Sequence, residues 1–144
     1  MKRYMGIDYG TKRIGLAIGD DDARIASPLG TVDARGGLAD HVQLVLAAAG
    51  EYDVGAFVVG MPFNMDGSEG EQAKVTRRFG DGLARESGRP VYYFDERLSS
   101  HTAQELLRPA ELTRKKQRKT EDAVAAQVIL QAFLDAQPTG PESV

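Results

Sequence analysis

Residues 54–59 (VGAFVV) form a continuous apolar run set between two stretches whose apolar residues recur at helical spacing. Such a run reads as a strand buried on both faces, which requires helices on both sides of a sheet. Before it, Leu38, Val42, Val45, Leu46 and Ala49 share one helix face, and Gly50 stands where that helix would stop. After it, Val75, Phe79 and Leu83 repeat the spacing up to Gly88, and residues 91–94 (VYYF) read as another buried strand. Strands separated by helices pair in parallel through right-handed crossovers.

The amino-terminal part follows a different pattern. Residues 4–7 and 14–18 are strand-like runs joined by the polar turn DYGTKR, which is a hairpin pattern. A third short strand is expected over 26–32, with Pro28 marking it as an edge strand. Further on, Ser99 or Ser100 is expected to cap a short helix to Leu107, and Thr120 a last helix to about Ala136. The expected order is β-β-β-α-β-α-β-α-α. This is one α/β domain over residues 1–136, a mixed β-sheet with helices on both faces in three layers. A disordered tail, 137–144, is expected after it.

Composition narrows the function. A chain of 144 residues, 42% hydrophobic, has enough sequence for one real core. No apolar run reaches the roughly 18–20 residues of a membrane span, and Met-Lys-Arg leading into a strand lacks the apolar core of a signal peptide, so a cytoplasmic location is expected. There is no cysteine, and the two histidines, His41 and His101, are far apart, so any metal here is a hard cation held by oxygen. His101 reads as a helix-surface residue. Residues 108–119 carry six cations, Arg108, Arg114, Lys115, Lys116, Arg118 and Lys119, against Glu111 alone, on a chain of net charge −3. That block is either a polyanion contact or a solvated loop.

The acids carry the chemistry. Functional groups of an α/β sheet gather at the carboxyl ends of its strands. Asp8 sits at the end of the first strand and Asp95-Glu96 at the end of the last, both strands being candidates for mid-sheet. Asp122, expected in the first turn of the last helix, shares a row with Ala125, Ala126, Ile129 and Phe133. Each acid also has an ordinary explanation: a turn cap for Asp8, the helix dipole for Asp122, surface pairing with Arg97 for Asp95 and Glu96. Together they have one solution. Crowded carboxylates raise one another's pKa, and a divalent cation relieves the cost. Mg²⁺ or Mn²⁺ suits such donors, and two ions about 4 Å apart would clamp the attacking and leaving oxygens of a phosphodiester.

Four motifs then resemble those of the YqgF/RuvX family: GIDYGTKRIGLA (6–17), GMPFNMDGSEG (60–70), DERLSS (95–100) and EDAVAAQVILQ (121–131). The match covers nearly the whole chain, with Ser99-Ser100 in place of the more usual Ser-Thr. The resemblance implies a single RNase H-like domain and carries catalytic and metal-ligand roles to Asp8, Glu96 and Asp122, with two Mg²⁺ or Mn²⁺ ions. Neighbouring strand residues face opposite sides, so Asp95 or Glu96, and not both, is expected as the inner ligand. It also implies a nuclease for structured nucleic acid that processes the 5′ end of precursor 16S rRNA in ribosome biogenesis. The alternatives are a Holliday junction resolvase acting on branched DNA, which would need a dimer that the sequence does not indicate, and a non-catalytic RNA-binding assembly factor. Nucleic-acid contacts are expected from Lys12, Arg13, Arg97, Arg114, Lys115, Lys116, Arg118 and Lys119, though Lys12 and Arg13 have a purely solvated reading too. Gly60, Gly67 and Gly70 either let backbone amides approach a phosphate or simply link strand to helix. The Asp8-Tyr9-Gly10-Thr11 turn is also similar to the phosphate loop of actin- and hexokinase-like ATPases. Those proteins clasp ATP between two such domains, and this chain supplies one.

Overall fold

The computed structural model describes residues 1–98 and 114–137. The first three elements are strands, β1 (Arg3–Tyr9), β2 (Arg13–Asp20) and β3 (Ser27–Asp33). They are followed by α1 (Leu38–Ala49), β4 (Ala56–Met61), α2 (Glu71–Ser87), β5 (Val91–Asp95), a 3-10 turn at Glu96–Leu98 and a long α3 (Arg114–Ala136). The strands lie in the order β3-β2-β1-β4-β5, antiparallel through the β1–β2–β3 meander and parallel from β1 to β4 to β5. The fold is therefore the expected mixed sheet.

Strand alternation divides the core into two layers. Met5, Ile7, Ile14, Leu16, Phe57 and Val59 meet Val42 and Val45 of α1 and Phe79 and Leu83 of α2. On the opposite face Tyr4, Ala17, Ala56 and Val58 meet Ala126, Ile129, Leu130, Phe133 and Leu134 of α3. All six residues of β4 are buried, as its apolar run predicts. Gly88 ends α2 in the left-handed conformation (φ 68°) that a glycine C-cap provides.

Three expectations are corrected. β5 is an edge strand of mostly half-buried residues, not a buried strand in mid-sheet. Its aromatic residues give it the apolar look of a central strand, yet among the described residues β4 alone flanks it. Next, α3 starts at Arg114 rather than after Thr120, so Asp122 lies in its third turn. Lys, Arg and Gln are good helix formers, and nothing in residues 114–136 breaks a helix. Residues 114–119 of the basic run thus belong to the helix that carries Asp122. Finally, Glu96 sits in the 3-10 turn just past the strand end. The helix expected from Ser99 or Ser100 to Leu107, His101, Arg108 and the tail 138–144 lie outside the described residues, as do the side chains of Arg114, Lys115, Lys116, Arg118 and Lys119.

Candidate active site

On β1 the residues that face α3 are Tyr4, Gly6 and Asp8, alternating with Met5, Ile7 and Tyr9 on the other face. Asp8 pairs across the hairpin with Gly15. The floor beneath α3 is made of small residues, and this lets the helix come close. A methyl group on Gly6 would lie 2.7 Å from Leu130 Cβ and 2.8 Å from the Ala126 carbonyl, and one on Gly15 would collide with the Asp122 carbonyl. Helix and hairpin therefore touch backbone to backbone at the level of Asp8.

Glu96 reaches the same place from the other side. Its Oε1 and Cγ would lie 2.7 and 2.9 Å from a methyl group on Gly60, the next-to-last residue of β4. Gly60 is there to make room for an acid, a role that glycine spacing alone does not reveal. Across that gap the carboxyl groups of Asp8 and Glu96 come within hydrogen-bonding reach of each other. Burial first, then the Glu96 charge and hydrogen bond, then the Asp122 charge, push the Asp8 carboxyl up to about 7. Burial raises Glu96 as well, with the Asp95 charge adding to it, while the contact with Asp8 pulls it the other way. Asp8 is thus the member of the pair that its partner pushes to hold a proton.

The third acid is held differently. Asp122 Oδ2 accepts from Arg13 Nε at 2.6 Å, both side chains being about three-quarters buried. Arg13, expected either on nucleic acid or in solvent, is therefore an intramolecular partner of the site. Asp95, the last residue of β5, is engaged elsewhere: its carboxylate takes Arg97 Nε at 3.0 Å and Nη2 at 2.6 Å. That pairing holds the Asp95 carboxyl below its ordinary value. Lys12 is exposed in the hairpin turn. On the far face of β1, buried His41 Nδ1 lies 2.6 Å from the Tyr9 hydroxyl, and Tyr9 stacks on Phe79 at 4.1 Å between centroids.

Among the described residues, no three His, Asp or Glu side chains form a ready-made cation cage. Two carboxyls face each other with a third acid within electrostatic reach, and all donors are oxygen. A buried acid pair that ionises only against repulsion suits a hard divalent cation, so the donor chemistry fits one.

A mixed sheet in this order, helices on both faces and acids meeting over β4 from the ends of β1 and β5 make an RNase H-like fold, and the family and relatives that match the chain are nucleases. The chain belongs to the RuvX family: residues 2–136 match its profile, which is described as Holliday junction resolvase. A relative from Anaeromyxobacter sp. (strain Fw109-5), named "Putative pre-16S rRNA nuclease", is 48% identical over 133 residues, covering 92% of this chain and 96% of its own. One of the same name from Myxococcus xanthus is 44% identical over 134 residues, covering 93% and 88%. Among solved structures, T. thermophilus RuvC in complex with a Holliday junction substrate superposes with a TM-score of 0.55 at 18% identity, covering 94% of this chain and 95% of that one. At that identity the likeness is one of fold.

Proposed function

We propose that this nuclease hydrolyses phosphodiester bonds in structured RNA, and that its natural substrate is the 5′ end of precursor 16S rRNA. The observation that carries the reading is the largely buried pair of facing acids, Asp8 and Glu96, at the sheet's carboxyl end, with Asp122 alongside. Asp8 and Glu96 would hold the cation and Asp122 would complete its surroundings. Mg²⁺ or Mn²⁺ bound there would supply Lewis-acid polarisation of a phosphate oxygen and a lowered pKa for bound water. The chain's own contribution is to fix two carboxyl groups at the sheet's carboxyl end, to surrender the proton held on Asp8, and to hold Asp122 beside Arg13. Relatives that bear the pre-16S rRNA nuclease name at 44–48% identity support the choice of substrate.

The test is cleavage of a precursor 16S rRNA fragment and of a four-way DNA junction, with Mg²⁺ or Mn²⁺. Wild type is compared with Asp8→Asn, Glu96→Gln and Asp122→Asn. We expect the wild type to cut the RNA and each variant to lose roughly a hundredfold or more in kcat. Equal cutting by all four proteins would overturn the nuclease site, and cleavage of the junction alone would move the substrate to branched DNA. Reversing the charge of Lys115 and Lys116 should flatten the salt dependence of RNA binding by about one log–log unit per cation, as the loss of phosphate contacts requires.

A further inference from the structure

Arg97 stands beside the site and was expected on nucleic acid. Its guanidinium, though exposed, is engaged by the protein on three counts. Nε and Nη2 form a fork on Asp95 (3.0 and 2.6 Å), and the Arg97 amide donates to the same carboxylate at 3.0 Å. Nη1 donates to the carbonyls of Met65 at 3.2 Å and Asn64 at 3.4 Å, and the cation lies 5.8 Å from the Phe63 ring centroid. All three guanidinium nitrogens are thus engaged within the protein. The loop they grip has little apolar anchorage of its own, since Met65 is 93% exposed. Its internal order comes from short-range bonds, Asn64 N–H to Ser68 O at 2.9 Å and Gly67 N–H to Asn64 O at 2.8 Å. Glu96 is the residue between the two members of the Asp95–Arg97 pair, on the 3-10 turn that this pair closes.

We propose that Arg97 is a positioning residue: forked on Asp95, it locks loop 63–67 to the 3-10 turn and so holds Glu96 over Gly60 against Asp8. The proposal rests on the nuclease reading of Asp8 and Glu96, and assigns Asp95 and Arg97 to supporting that site rather than to metal or phosphate. A planar fork spreads its donors over three nitrogens and spans the carboxylate and both carbonyls, whereas an ammonium group gathers its donors on one atom and cannot reach all of these positions at once. Charge alone should therefore not preserve the lock.

The experiment compares wild type, Arg97→Gln and Arg97→Lys by three measurements: amide hydrogen exchange at Asn64 and Gly67, the salt slope of binding to a precursor 16S rRNA fragment, and kcat and KM for its cleavage. We expect both variants to speed exchange at those amides about tenfold or more, because local opening becomes easier. We expect kcat to fall roughly tenfold or more, since small misplacement of a reacting group is costly. KM and the salt slope should stay near wild type, with Lys no better than Gln. A salt slope flattened by about one unit with loop exchange unchanged would make Arg97 a phosphate contact and overturn the proposal. A loosened loop with unaltered kcat would also overturn it, as would full rescue of kcat by Lys. Failure of the nuclease reading is seen separately: wild type and Glu96→Gln would then cut alike, and the lock would stand or fall on exchange alone.

Discussion

A carboxyl group that keeps its proton to about pH 7 ties the stability of this protein to its chemistry with opposite signs. In the unfolded chain an Asp titrates near 3.9, while Asp8 in the fold titrates at about 7. Between those values the folded state retains a proton that the unfolded state has lost. Stability therefore falls as pH rises through that window and levels off above it, by an amount on the order of a few kcal/mol. Glu96 is raised and acts in the same direction. Without divalent metal, Asp8→Asn should melt several degrees above wild type at pH 8 and close to it at pH 5, as thermal scans at the two pH values would show. Mn²⁺ affinity measured by calorimetry should rise from pH 6 to pH 8 in the wild type, because the cation needs the proton gone. Arg13 gives a further residue-level test. Its charge opposes a cation beside Asp122, so Arg13→Gln should tighten Mn²⁺ binding roughly three- to tenfold, and weaker binding would show that Arg13 instead holds Asp122 in place.

At the scale of elements, the packing of α3 on the sheet sets the distance between the acids. A methyl group on Gly15 would meet main-chain atoms of Asp122, which have no rotamer to change. Gly15→Ala should cost about 1–3 kcal/mol in urea unfolding and lower cleavage in parallel, because the helix itself must shift. Gly60→Ala should separate those effects. Its methyl group would meet the tips of Ile129 (2.5 Å) and Glu96 (2.7 Å), side chains that can move, so stability should change little while kcat falls roughly tenfold or more. Several of these elements are legible in the sequence. Period-two and period-3.6 apolar spacing finds the hairpin, the edge strand at Pro28 and helices α1 and α2. The misplaced features have physical reasons. Residues 91–94 are apolar enough for a central strand, but position in a sheet depends on crossovers that no local pattern encodes. The start of α3 was hidden because a dense block of charge reads as a loop, although its residues favour helix.

Across the whole molecule, the acids could be picked out in the sequence as oddities, but not the relations between them. That Asp8 and Glu96 share a face follows from the register of β1, β4 and β5, which is a tertiary fact. The pairing of Arg13 with Asp122, 109 positions apart, is of the same kind. The roles of Gly15 and Gly60 are legible only as the shape of what lies above them. The motifs fared better because each contributes one piece of a single assembly: the first gives Asp8, Arg13 and Gly15, the second Gly60 and the gripped loop, the third Glu96 with its flanking pair, the fourth Asp122. Among the described residues, no helix is long and apolar enough to cross a membrane.

The bare floor beneath α3 also makes tolerance to change lopsided. On the side of α1 and α2, bulky aliphatic and aromatic groups can trade volume with one another and the sheet will absorb the exchange. On the other side, at Gly6 and Gly15, a side chain of any size would meet the main chain of α3, so there is no slack to redistribute at those two points. Drift in the sequence has room around the aliphatic and aromatic groups, while the two bare positions that space the acids can change only by altering the chemistry itself.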